Sequence, residues 1–158
     1  MTKPIPDGYH AITPNLTFKD SKKALEFYKK AFGAAALDVF PDLDGGPGLM
    51  HATMRIGDSM IMMGDERPGQ SCKSAETAGG SPISLYIYVA NADALYQQAV
   101  SAGATVVMPI ADMFWGDRAG TVKDPFGYSW TIATHKRDLT PEQTRAEAQA
   151  FFAQMAKK

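Results

Sequence analysis

Three groups of residues in this 158-residue chain have the types and spacing to do chemistry. His51 lies in the run Leu49-Met-His-Ala-Thr-Met-Arg-Ile56, and an imidazole that titrates near neutral pH can give or take a proton. Tyr86 and Tyr88 stand two apart in Ile83-Ser-Leu-Tyr-Ile-Tyr-Val89, so a strand projects both phenols from one face. Trp115, Asp117 and Arg118 fall together in Met113-Phe-Trp-Gly-Asp-Arg118. The indole there offers a stacking surface, and the Asp–Arg couple either orients a polar group or pins its own loop. His51 is the best candidate for a catalytic residue, and it fits equally a neutral histidine hydrogen-bonded within a sheet. Cys72 has no neighbouring base and receives no catalytic role.

The elements that must position these residues come in two copies. Ala24-Leu25, Gly33-Ala34 and Gly57-x-Ser59 recur 70 residues on, as Ala94-Leu95, Gly103-Ala104 and Gly127-x-Ser129. The first copy reads as a strand at 11–18, a helix capped by Asp20 or Ser21 and ended by Gly33, and strands at 35–40, 49–56 and 59–64. The second reads as a strand at 83–89, a helix from Asn91 to Ala102, and strands at 104–110, 119–123 and 128–134. The predicted fold class is α+β: one domain over 1–158, built of two tandem βαβββ modules, 8–64 and 82–138. A polar, Gly/Ser-rich linker at 65–81 separates them. A C-terminal helix occupies 139–158, opened by the capping box Thr140-Pro-Glu-Gln143, with Phe151, Phe152 and Met155 on one side.

Strand alternation sorts the side chains. Leu85, Ile87 and Val89 belong under a helix, as do Ala52, Met54, Ile56, Ile61 and Met63. The opposite, concave faces receive Thr13, His51, Met62, Ser84, Tyr86, Tyr88 and Thr131, a polar, aromatic and Met lining suited to a small molecule. Trp130 shares the parity of Tyr128 and Ile132 and is expected in the core. His10 and His135 flank the first and last strands and are expected at the surface.

Composition removes several classes of function. Sixteen basic against 17 acidic side chains leave a net charge of −1 with no basic block, which excludes nucleic acid as a partner. No apolar run approaches the roughly 20 residues that span a bilayer, and the N-terminus lacks the apolar core of a signal peptide. One cysteine permits no intrachain disulfide and points to a reducing cytoplasm.

Four segments carry a family resemblance: Asp20-Ser-Lys-Lys-Ala-Leu-Glu-Phe-Tyr-Lys-Lys-Ala-Phe-Gly-Ala34, His51-Ala-x-Met-x-Ile-Gly-Asp58, Met113-Phe-Trp-Gly-Asp-Arg118 and Lys123-Asp-Pro-Phe-Gly-Tyr-Ser-Trp130. Over roughly residues 8–138 the chain resembles the vicinal oxygen chelate superfamily of glyoxalases, bleomycin resistance proteins and dioxygenases, and within it the PhnB-like branch. The resemblance implies curved mixed sheets with helices on the convex side, and a homodimer in which modules face each other around a cavity. In enzymes of the superfamily four strands each give one ligand to a divalent metal. Those positions fall near Thr13, Met62, Ser84 and Thr131 here, none of them a usual ligand for such an ion. No Gly-rich strand-to-helix loop for S-adenosylmethionine is visible, against the methyltransferase label some members of the branch carry.

These readings predict a metal-free protein, without cofactor, that binds a small molecule as a homodimer. His51, Tyr86, Tyr88 and Trp115 are expected to converge on one pocket, each module supplying half. The ligand-binding set is completed by Thr13, Met62, Ser84, Asp117, Arg118 and Thr131. A metal-dependent enzyme of glyoxalase or dioxygenase type is the alternative, and a structural or partner-binding dimer without ligand is the third.

Overall fold

The computed structural model describes residues 2–156. The first module contains β1 (Asn15–Phe18), α1 (Ser21–Phe32), β2 (Ala35–Pro41), β3 (Leu49–Ile56) and β4 (Ser59–Asp65). After the short helix α2 (Ala75–Ala78), the second contains β5 (Ser84–Tyr88), α3 (Ala92–Ala102), β6 (Thr105–Asp112), β7 (Asp117–Lys123) and β8 (Ser129–His135). The helix α4 (Pro141–Met155) follows. Each module makes a four-stranded mixed sheet, in the orders β1-β4-β3-β2 and β5-β8-β7-β6. In each, the first strand runs parallel to the last and the remaining pairs are antiparallel. The 70-residue repeat is thus a repeat of fold, as expected.

Local chemistry explains the helix ends. The Asp20 side chain accepts from the Lys23 amide and Asn91 from the Ala94 amide, each satisfying a donor that the first turn leaves free. α1 stops at Gly33, whose φ of 65° is left-handed and open to glycine at little cost. Its apolar stripe, Ala24, Phe27, Tyr28, Ala31 and Phe32, is buried.

The modules meet through α1, α3 and the β7–β8 turn, which share one core. Trp130, fully buried as expected, packs against Tyr28 and Phe32 of α1. Asp124 in the turn is buried too, and it accepts from the Tyr28 hydroxyl at 2.6 Å, the Trp130 indole at 2.8 Å and the Phe126 and Tyr128 amides. Burial pushes this carboxyl up despite those four donors. The Tyr128 hydroxyl both donates to the Thr17 carbonyl and accepts from its amide, which covers the free edge of β1.

Three expectations need correction. β1 begins at Asn15 rather than 11, because Pro14 has no N–H to donate, although its carbonyl accepts from Met62, and the chain bends at residues 11 and 12. β7 begins at Asp117 rather than 119, since Asp117 and Arg118 pair with His135 and Thr134. The segment 65–81 is also more than a spacer: Ser74 is buried, caps α2 and is held by Glu66, whose carboxyl is pulled down to about 2 by bonds from Thr77 and Ser74.

Candidate functional site

The helix-covered faces form the core, so the sites with free side chains lie on the opposite, open faces. On the second sheet, alternation along β7 sends Asp117, Ala119 and Thr121 to the open face. β8 adds Thr131, Ala133 and His135, and β5 adds Tyr86 and Tyr88. Asp117 is the centre of this group and is only 3% exposed. Its Oδ2 accepts from the Tyr86 hydroxyl at 3.1 Å, the Tyr88 hydroxyl at 3.0 Å and the Trp115 indole N–H at 3.1 Å. Its Oδ1 lies 2.8 Å from His135 Nδ1, and His135 Nε2 lies 3.0 Å from Asp138.

The electrostatics follow from those contacts. Burial by itself would raise the Asp117 carboxyl, but the bonds from His135, Tyr88, Tyr86 and Trp115 outweigh it and hold it below the usual carboxylate value. His135 is raised above an ordinary histidine by Asp138 first and Asp117 second. Desolvation, with the adjacent Asp117 charge, pushes Tyr86 up to about 12 and raises Tyr88. Both phenols therefore stay neutral donors at physiological pH.

Their hydroxyls are tied down while their rings stay open: Tyr86 is 46% and Tyr88 63% exposed, with centroids 5.0 Å apart. This is a fixed aromatic platform, able to stack on a flat ligand with little ordering left to do. Gly116 makes the approach possible. Its φ of 100° is left-handed, and a Cβ there would run into the Arg137 carbonyl, while the Lys136 and Arg137 amides both donate to its own carbonyl.

Arg118 does not form the expected couple with Asp117. Neighbours in a strand face opposite ways, so Arg118 turns to α3 and grips Asp93 with two bonds of 2.6 Å, with Asp112 at 3.3 Å. It ties α3 to β7 instead of facing the platform. His135, expected at the surface, is half-exposed yet belongs to the Asp117 cluster. The missed signal was parity, since His135 continues the Thr131, Ala133 series one residue past the predicted strand end.

His51 lies on the first sheet, with Nε2 3.2 Å from the buried Thr53 hydroxyl and its ring facing Phe40. Tyr9 donates to the same hydroxyl at 3.3 Å, so the N-terminal segment lies against this open face. The chain brings Tyr86, Tyr88 and Trp115 together but leaves His51 on the other sheet. A groove of about 810 Å³ between the modules is lined by Thr13, Met60, Tyr86 and Tyr88 among others. Ser84 is exposed and Met62 half-buried.

Thr13, Met62, Ser84 and Thr131, the positions the resemblance assigns to metal ligands, do not fit a divalent ion. They offer no imidazole or carboxylate, Thr13 hydrogen-bonds the His10 carbonyl, and Thr131 is 2.9 Å from the Thr121 hydroxyl. Among the described residues no three His, Cys, Asp or Glu side chains are grouped to hold a metal. Among the same residues no helix is long and apolar enough to cross a membrane.

Comparison with known proteins agrees with this architecture. An uncharacterised protein of Mycobacterium bovis is 37% identical over 139 residues, covering 86% of this chain and 90% of its own. TioX from Micromonospora sp. ML1 superposes with a TM-score of 0.63 at 25% identity, over 80% of this chain and 98% of that one. The PhnB protein of Bacillus cereus shares the fold, with a TM-score of 0.62 at 20% identity over 79% of this chain and 99% of that one. The sequence profile of the Glyoxalase/Bleomycin resistance protein/Dioxygenase superfamily matches residues 10–132, both modules of the repeat. The chain belongs to that superfamily.

Proposed function

We propose that the protein binds a flat small molecule on the open face of its second sheet, without a divalent metal, as a homodimer. The observation that carries this reading is the buried Asp117 carboxylate that anchors two exposed tyrosines by their hydroxyls. Exposed aromatic rings cost stability through their hydration, and a buried charge costs more, so an arrangement combining both suits a site prepared for a ligand. The alternative, a metal-dependent enzyme of glyoxalase or dioxygenase type, draws no support from Thr13, Met62, Ser84 and Thr131, which lack the donors such an ion needs.

The homodimer supplies the missing wall. His51, Thr53 and Phe40 on one open face and the Asp117 cluster on the other belong to different sheets of a chain, so each face is half a cavity. A second copy can lay its first sheet over the platform, bringing the partner's imidazole to the tyrosines. The test is a calorimetric screen of planar aromatic compounds. Tyr86→Ala and Trp115→Ala should each weaken any hit by at least about tenfold, the cost of losing an aromatic anchor, in variants whose circular dichroism shows the fold retained. Hits whose affinity ignores both substitutions would overturn the reading.

A further inference from the structure

We infer that the ligands of this face are planar aromatic carboxylates, the ring lying on Tyr86 and Tyr88 and the carboxylate on His135 Nε2. The inference rests on the reading of the face as a ligand site and adds the charge of what it takes.

The geometry of His135 sets that charge. Nδ1 is committed to the buried Asp117, which fixes the plane of the ring. Nε2 points to Asp138, whose side chain is fully exposed in the stretch between β8 and α4. Each nitrogen faces a carboxylate oxygen, and only the doubly protonated imidazolium donates to both. An ion pair with a fully exposed partner is worth little, so a ligand carboxylate can replace Asp138 with the same chemistry. Asp117 cannot bind a ligand cation, because four donors already saturate it.

The other charges nearby are engaged elsewhere. Arg137 holds Glu147 of α4 through two bonds, at 2.8 and 2.7 Å. Arg118 holds Asp93 and Asp112 on the opposite face and lowers the Asp93 carboxyl, to which Lys136 on that side adds. From β5 only the neutral phenols Tyr86 and Tyr88 approach, and from β7 only Asp117. Among the described residues His135 is therefore the cation that faces the platform, and the carboxylates on its two nitrogens, Asp138 first and Asp117 second, favour its charged form.

The test is calorimetry on the full chain with 2-naphthoate, 2-naphthamide and 2-naphthylmethylamine, with the Trp115 indole resonance as a reporter of place. At about pH 6 the acid should bind roughly tenfold more tightly than the amide, the worth of a charge-assisted bond, and the amine least. A raised histidine value keeps the cation below it and loses it above, so the acid's advantage should vanish by about pH 9.5. His135→Gln should bring the acid's affinity at about pH 6 down to that of the amide on the same variant. Asp138→Asn should tighten the acid about threefold, by removing its competitor. Acid and amide binding alike at the low pH would overturn the carboxylate assignment while sparing the platform. If none of the three compounds moves the Trp115 signal, the platform reading falls as well.

Discussion

At the residue scale, Asp117 is stable in its burial only because four donors surround it, and those same donors make up the proposed site. Asp117→Ala should therefore cost about 2–4 kcal/mol by leaving them without an acceptor. Its folded-state value lies below the unfolded one of about 3.9, so its contribution is present above that pH and lost as pH falls through the folded value. Urea unfolding at neutral pH and near pH 3 should show a wide gap between wild type and variant that narrows in acid; equal midpoints at neutral pH would contradict the assignment. Tyr86, Tyr88 and Trp115 could be read as site residues from type and alternation. Asp117 could be read as a site residue too, but not as the acceptor that joins them, because adjacent Asp117 and Arg118 read as a couple until the strand that separates them is known.

At the scale of elements, the repeat was legible because a helix end needs a left-handed residue and a hairpin needs a tight turn, and Gly33, Gly103, Gly57 and Gly127 mark both. Strand starts were less legible, since β7 opens with the polar Asp117 and Arg118, which pattern alone reads as loop. Packing adds a constraint that composition does not show. Gly120 lies where α3 crosses the second sheet, and a Cβ there would stand 2.7 Å from Tyr96 and 2.9 Å from the Ile110 backbone. Gly120→Ala should destabilise by about 1–3 kcal/mol through overpacking, read as a lower thermal midpoint. An unchanged midpoint would mean that α3 sits more loosely on β7 than its contacts indicate.

At the scale of the molecule, α4 stands out because none of its side chains is buried. Phe151, Phe152 and Met155 are 37%, 58% and 60% exposed, and the two phenylalanines meet Phe114, which in turn meets Trp115. An apolar patch continuous with the platform fits a surface that a second copy covers. Light scattering should give twice the 17.1 kDa chain mass, and Phe151→Asp with Phe152→Asp should shift it toward 17.1 kDa while the fold persists. A wild-type mass of one chain at micromolar concentration would rule the dimer out. By itself the sequence determined the two modules, their helix ends, the burial of Trp130 and the face taken by residues inside the predicted strands, because periodicity and turn chemistry are local. Only the tertiary structure decided that Tyr86, Tyr88, Trp115 and His135 share one carboxylate and that His51 stands apart from them. Those pairings join residues up to 31 positions apart in sequence, and they depend on strand register and on how the modules pack, which no local pattern encodes.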